Sequence, residues 1–411
     1  MQVITIIIYI SIYIGLITTS FYILSFIAGG KKKNLLYTDE ELPSVSVIIP
    51  AYNEEKTIVN TIKSIAASDY PKFEIIVVDD GSKDKTLSLA KKLAGKNIRV
   101  FHKKNGGKGT ALNFGIAKAE GEIVFTMDAD TTVDPQSMKR MVRFFKNKDV
   151  MSVTPAIVLT PPKGILQRVQ YTEYVLGLFL RKAFASLRAI YVSPGAFSAF
   201  RKSFFDKYGG YQTDNITEDL EMSLRIQFKG YHIENCPEAP AYTVPPSKFK
   251  ELMIQRRRWY YGLLKNLWDY RKIISPKYGD LGTFVIPVAL TSIFLSVTVT
   301  TYLFFNTLLK IKDQLLFLQS VNFNFPSTLS LNFYVIERFL YLFFSRPAVL
   351  SVLIFIIFMG IYTYYASRKL GKLSGMALNL PLFFILFALL FGFWWVVSFF
   401  YLIFAKTIKW R

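Results

Sequence analysis

Cysteine is almost missing: Cys236 stands alone, which excludes an intrachain disulfide framework and any metal site built on several thiolates. Histidine is nearly as scarce. With only His102 and His232, a histidine-rich metal centre is not expected, and each histidine is read as structural. Acidic residues are outnumbered, 29 against 50 Lys and Arg, for a net charge of +21. Such an excess suits an anionic partner: nucleic acid, anionic lipid or a phosphorylated substrate. The basic residues are scattered and nothing resembles a DNA-reading module, so no nucleic-acid partner is expected. The charge is assigned to membrane-surface attraction and to an anionic substrate. Internal repeats and low-complexity segments are absent too. What abounds is apolar surface: 52% of the 411 residues are hydrophobic, with 37 Phe and 24 Tyr. That composition leans towards a membrane protein, and the length allows two or three domains.

The apolar residues are clustered. Residues 3–28 form an uncharged run followed by Lys31-Lys32-Lys33, longer than the roughly 20 residues that cross a bilayer. A cleaved signal would carry its charge before a shorter core. The run is therefore read as an anchor, residues 1–30, with the chain after it in the cytoplasm. Further runs near 282–305, 347–366 and 380–405 make residues 281–411 a second membrane region of about three spans. A link at 306–346 is amphipathic. Between these regions, 31–248 reads as a soluble domain. Residues 249–280 open on an amphipathic helix rich in Arg, Trp and Tyr, suited to the headgroup layer. The apolar, aromatic helix 165–187 is also expected at a membrane surface.

The soluble stretch alternates in type. Ser44–Ile49, Glu74–Val78, Ile98–Phe101 and Ile123–Met127 are short β-branched runs. Helical spacing follows each of them. That alternation implies βαβ units and a mainly parallel α/β sheet covered on both faces. Three strands end in acidic or turn-forming residues, so their ends converge on one crevice. Strand Ile123–Met127 ends in Asp128-Ala129-Asp130. Side chains two apart on an extended backbone face one side, and two carboxylates there suit a hard divalent cation shared with phosphate. In Asn105-Gly-Gly-Lys-Gly109, a glycine-flanked Lys108 at a helix start offers N–H groups and a cation to phosphate. Thr217-Glu218-Asp219 reads as an N-cap with acids in the first turn. Gln255, Arg258 and Trp259, at i, i+3 and i+4, share one helix face. Arg256 and Arg257 face elsewhere and are read as interfacial, as are Tyr260, Tyr261 and Trp268.

Taken in order, Val47–Glu54, Val77–Ser82, Gly107–Asn113, Asp128–Asp130, Thr217–Asp219 and Gln255–Trp259 resemble an inverting family 2 glycosyltransferase. More narrowly, they resemble a membrane-embedded processive polysaccharide synthase of the cellulose, chitin, hyaluronan and poly-N-acetylglucosamine group. The likeness covers about residues 44–262. It implies a GT-A-like fold, hexosyl transfer from a nucleotide-diphosphate sugar, usually UDP-linked, and Mg²⁺ or Mn²⁺. It further implies Ala51, Tyr52 and Glu54 in the nucleotide pocket. Asp80 would accept from the base, with Asp79 the neighbouring candidate. Lys108 and Arg258 would meet the diphosphate, and Asp128 and Asp130 would hold the metal. Asp219 would be the general base, with Glu218 in support. Gly195, Phe197, Gln255 and Trp259 would meet the acceptor, Trp259 by packing on its terminal sugar. The expected partners are the sugar nucleotide, a polysaccharide acceptor and membrane lipid; an accessory subunit or homo-oligomer is left open. The rival readings are transfer of one sugar to a polyprenyl phosphate or glycolipid, and a catalytically inactive membrane scaffold.

Overall fold

The computed structural model describes residues 3–28, 41–320 and 376–404, with scattered residues between 336 and 361. The chain divides into two compact units. One comprises Leu24–Pro287 with Ser398–Arg411, the other Met1–Ile23 with Val288–Val397.

Helix α1 is Val3–Ala28. The sheet domain then runs β1 (Val45–Ala51), α2 (Ile58–Ala66), β2 (Phe73–Asp79), α3 (Thr86–Lys91), β3 (Ile98–His102), α4 (Lys108–Lys118), β4 (Ile123–Met127) and β5 (Thr132–Val133). It continues through α5 (Ser137–Val142), β6 (Val150–Leu159), α6 (Ile165–Ser186), β7 (Phe197–Arg201), α7 (Lys202–Tyr208), α8 (Glu218–Phe228), β8 (His232–Thr243) and α9 (Phe249–Asp269). Two long apolar helices follow, α10 (Ile286–Ser320) and α11 (Met376–Ile403).

The eight strands lie in one sheet, ordered β3-β2-β1-β4-β7-β6-β8-β5. β3, β2, β1 and β4 are mutually parallel. β7 enters antiparallel to both β4 and β6, and β6 and β8 are again parallel. The period-2 alternation of each strand divides the core between the two faces. Val47, Ile49, Ile75, Val77, Ile123, Phe125 and Met127 point to one face with α2 and α5. Ile48, Ile76, Val78 and Val124 point to the other, against Leu112 of α4 and Met222 of α8. With both faces covered, the strands read as continuous apolar runs.

Several local expectations give way to tertiary pairing. β1 runs through Pro50 to Ala51, although Pro50 reads as a strand breaker. The β1–β4 pairing stops at Ile48, so Pro50 sits where that edge has no ladder to lose. Strand β8 likewise runs through Pro237 and Pro240. The β6–β8 register jumps from Pro155–Cys236 to Ala156–Pro240, and this bulge takes Pro237 out of the ladder. Helix α6 packs on β6 and β8 and buries Gln170, Thr172 and Val175, while its Phe179 ring stacks on Phe26 near the end of α1.

Among the described residues two helices are long and apolar enough to cross a membrane, Ile4–Ala28 and Leu281–Ser320. The second continues well past residue 305 because nothing between Val288 and Ser320 is Gly or Pro. The span read near 347–366 and the loop after it lie largely outside the described residues.

One glycine locks the strand that leads to the site. Gly121 donates its N–H to Ser46 Oγ at 2.8 Å. A Cβ there would stand 2.5 Å from Ser46 N and 2.6 Å from Val45 C, both backbone atoms that cannot swing away. Gly121→Ala should therefore lower unfolding stability by about 1–3 kcal/mol, read as a lower midpoint in thermal or denaturant unfolding of the purified chain.

Candidate functional site

The site forms at the carboxyl ends of β1, β2 and β4, the place where open α/β sheets take ligands. β1 and β2 end in register, Ala51 beside Asp79, and Asp80 N donates to Ala51 O at 2.8 Å. The chain turns at Asn53, which has φ 56°, a conformation Asn tolerates better than most residues. Lys83 N donates to its Oδ1 at 2.8 Å. Glu54 follows, its N–H donating to Thr86 Oγ1 at 2.7 Å and its carboxylate accepting from Thr57 Oγ1 at 2.8 Å. Ala51 is buried, so what it offers a ligand is backbone; Tyr52 and Glu54 are half-buried.

The two adjacent acids of β2 divide their work. Asp79 is fully buried and its Oδ2 lies 2.7 Å from His102 Nδ1 on the neighbouring strand. Asp80 gathers the glycine loop. Its carboxylate accepts from Lys103 Nζ at 2.6 Å, Gly106 N at 3.1 Å and Gly107 N at 2.8 Å. Gly106 N also reaches the second oxygen at 3.3 Å, so both carboxylate oxygens are committed to the loop. The loop needs its glycines for close approach. Gly81 has φ +75° and a Cβ there would meet Asn105 N at 2.8 Å; Gly107 has φ +90°. This folding puts Lys108 on the first turn of α4.

Lys108 is the hub. Its Nζ lies 2.6 Å from Asp128 Oδ1 and 3.4 Å from Glu218 Oε1. Burial alone would lower its affinity for the proton, but Asp128, Glu218 and Asp219 outweigh that and hold it far above the ordinary lysine range. A Cβ on Gly195 would lie 2.7 Å from Lys108 Nζ, 3.6 Å from Asp219 Oδ2 and 3.7 Å from Asp128 Oδ1. Residues from α4, β4, the loop before β7 and α8 thus meet within one van der Waals shell.

The acids differ in environment. Asp130 reaches solvent, yet the desolvating cleft walls first, then Asp128 and Glu54, push its carboxyl up to about 6. Two carboxylates that repel each other at a strand end fit a hard cation. Among the described residues no group of three or more His, Cys, Asp or Glu is placed to hold a metal by itself. A cation at Asp128 and Asp130 would therefore complete its oxygen shell from a bound phosphate or water. Glu218 is 3% exposed; burial, opposed by Lys108 and reinforced by Asp219, pushes it up to about 7. Asp219 is held at both oxygens, Oδ2 accepting from Gly195 N at 3.1 Å and Oδ1 from Leu220 N at 2.8 Å.

Thr217 occupies the N-cap position without capping by its side chain. Its hydroxyl instead accepts from Asn266 Nδ2 of α9 at 2.9 Å, within a buried knot that includes Asn215. Gly262 makes the crossing close enough: a Cβ there would fall 2.2 Å from Thr217 Oγ1. The acid-bearing start of α8 and the Gln255–Trp259 helix are therefore locked together. Arg258 is near enough to Glu218 to favour its charged form, and Trp259 and Gln255 are half-buried, Gln255 with a buried, unpartnered Oε1.

Some expectations change. Phe197 is fully buried in β7, its ring 4.8 Å from Phe125. The strand's alternation sends it into the core, so the acceptor contact expected of it falls away and the loop presents Gly195. Arg256 is no headgroup residue. It is 2% exposed and doubly bonded to Glu173 at 2.7 Å. Arg257 donates to Tyr401 at 2.8 Å, and Tyr260 is buried; Trp268 stays exposed. Gly262 did carry a signal, since a glycine inside a helical pattern usually has a packing reason. Glu173 and Asn266 carried none, because their partners are distant in sequence.

Residues 46–209 match the Glycosyl transferase family 2 model. The chain is 34% identical over 227 residues to a poly-beta-1,6-N-acetyl-D-glucosamine synthase of Staphylococcus aureus (strain COL), covering 54% of this chain and 55% of that one. It is 32% identical over 238 residues to the enzyme of that name from Staphylococcus epidermidis, covering 56% and 58%. The matched region thus spans a little over half of these relatives. In fold, the chain resembles the mannosyltransferase PcManGT from Pyrobaculum calidifontis, solved with GDP-Man and Mn²⁺. The TM-score is 0.55 at 20% identity, covering 89% of this chain and 98% of that one.

Glu218 makes the electrostatics testable. Its folded-state proton affinity is raised, so the folded chain binds more protons than the unfolded chain between about pH 4.5 and 7. The cost of ionising Glu218 is absent at low pH and grows as pH rises through that window. Glu218→Gln should therefore gain stability relative to the parent between pH 5 and pH 8, by on the order of 1–3 kcal/mol. Paired unfolding curves at the two pH values check this.

Proposed function

The chain carries a Glycosyl transferase family 2 domain at residues 46–209, and from that premise we propose an inverting synthase. It would extend a polysaccharide from a nucleotide-diphosphate sugar at the cytoplasmic face of a membrane. The observation that carries the proposal is the meeting of Lys108, Asp128 and Asp219 around Gly195. A cation, a metal-type carboxylate and a candidate base stand within one sugar's reach. The favoured sugar is N-acetylglucosamine, the unit named in the relatives from both staphylococci, carried on UDP.

The chemistry follows from the donor set. An acceptor hydroxyl is a weak nucleophile until a positioned carboxylate takes its proton. Asp219 is fixed for that task by the N–H groups of Gly195 and Leu220. The hydroxyl oxygen then bonds to the anomeric carbon as the carbon–phosphate oxygen bond breaks on the opposite side, which inverts the centre. The departing diphosphate gathers negative charge. Lys108 and Arg258 would stabilise it, Arg258 through a guanidinium fork suited to phosphate oxygens. A Mg²⁺ or Mn²⁺ held by Asp128 and Asp130 would supply Lewis-acid stabilisation of the same charge. Asp80 would accept from the base by giving up one of its loop contacts, with Tyr52 and Glu54 beside it. Trp259 would offer its indole face to the acceptor's terminal sugar, and Gln255 its buried carbonyl oxygen to a sugar hydroxyl. The two long apolar helices support membrane integration. Passage of the polymer through the chain's own helices is the finer part of the proposal.

A donor screen with UDP-N-acetylglucosamine, UDP-glucose, UDP-glucuronate, UDP-galactose and GDP-mannose, each with Mg²⁺ or Mn²⁺ and with products sized, tests it. We expect polymer from UDP-N-acetylglucosamine, abolished by a chelator and restored by the metal. A single-sugar glycolipid with no polymer would sink the synthase reading. Asp219→Asn should cut turnover by about 10²–10⁴-fold while nucleoside diphosphate binding stays within twofold. An unchanged rate would remove Asp219 from the base role.

A further inference from the structure

Among the ion pairs outside the catalytic acids and the glycine loop, one joins α6 to α9 beside Trp259, pairing a buried Arg256 with a half-buried Glu173. Arg256, among the largest fully buried side chains of the chain, donates from Nη1 and Nη2 to the two oxygens of Glu173, both at 2.7 Å. Burying such a pair gives little net stability compared with apolar residues of similar volume, so stability alone is a weak reason for it. Its surroundings offer a better one. The Arg256 guanidinium lies 4.5 Å from the centre of the Trp259 ring, one turn further along α9. A guanidinium over an indole face is an attractive and orienting contact. Glu173 belongs to α6, which grips the same segment twice more. Gln167 Nε2 donates to Pro245 O at 3.0 Å and Gln170 Nε2 to Pro246 O at 2.9 Å. Gln167, Gln170 and Glu173 recur every third residue along one side of α6. They hold the approach to α9 and then its Arg256.

We propose that Glu173 and Arg256 are positioning residues. Glu173 fixes the Arg256 guanidinium, which covers one face of the Trp259 indole and leaves the opposite face to the terminal sugar of the acceptor. This rests on the reading of Trp259 as an acceptor contact. Its consequence is narrower: acceptor binding depends on a residue of α6 that touches neither sugar nor nucleotide. The planar fork matters, because a lysine ammonium can neither meet both carboxylate oxygens nor stack flat on a ring.

The test uses the full chain labelled with 5-fluorotryptophan, with the Trp259 resonance assigned from its loss in Trp259→Phe. Two variants are compared with the parent. Glu173→Gln breaks the ion pair. The double variant Glu173→Met with Arg256→Met removes both charges and keeps the volume, so no lone charge is left buried if the single variant fails to fold. In each we expect the Trp259 fluorine resonance to shift and broaden while that of exposed Trp268 stays in place. The KM for an added N-acetylglucosamine oligosaccharide should rise about tenfold or more, with UDP affinity within twofold of the parent. An unmoved Trp259 resonance, an unchanged acceptor KM, or an equal loss of UDP and acceptor binding overturns the proposal. If the parent transfers sugar from no donor, the synthase reading fails by itself. The fluorine spectra still decide whether Glu173 orients Trp259.

Discussion

A lysine ammonium taken out of water is costly unless carboxylates close around it, and the site is organised by that constraint. Lys108 comes from α4, Asp128 from the end of β4, and Glu218 and Asp219 from the start of α8. None of these elements adjoins another in sequence without a loop between. Only when the sheet is complete and α8 is docked do they surround one cation. Gly195, with no side chain, lets the loop before β7 pass close to Lys108, Asp128 and Asp219. The same cation would face the diphosphate of a proposed donor, so the interaction that holds the site together is one that a substrate would share.

Two supports keep this hub in register. On one side, Asp80 collects Lys103, Gly106 and Gly107, so the loop carrying Lys108 is tied to the end of β2. On the other, α8 and α9 cross at Gly262 and Thr217 and are joined by Asn215 and Asn266. α6 then braces α9 from behind through Gln167, Gln170 and Glu173. Buried polar networks of this sort are strong when every member is satisfied, and they fix distances that hydrophobic packing alone leaves soft.

Much of the sheet was legible from local pattern. β-branched runs of four to six residues, each followed by helical spacing, identify β1 to β4 and their parallel order. The glycine loop, Asp128-Ala129-Asp130 and Thr217–Asp219 stand out because the phosphate and metal chemistry they suit demands those residue types close together. Pro50 and Pro237 lie inside strands for a physical reason. Proline breaks a strand only where its missing N–H would have been used, and that depends on the neighbouring strand. Helix α6 has an aromatic, weakly charged sequence that suits a bilayer surface and the back of a sheet equally, and its packing on β6 and β8 came only with the fold.

The sequence by itself determined the chemistry available at the strand ends: a cation at a helix start, two acids one residue apart, an acid in a first turn, and a Gln–Arg–Trp face on one helix. These are local facts, set by spacing of a few residues. The tertiary structure alone decided which of those groups meet. It spent Asp79 on His102 and Phe197 on the core, and it made Arg256 the partner of Glu173, 83 positions away. It also made Thr217 the anchor of α9 instead of a cap. Each outcome depends on which face of an element another element covers, and that is settled only when the chain packs.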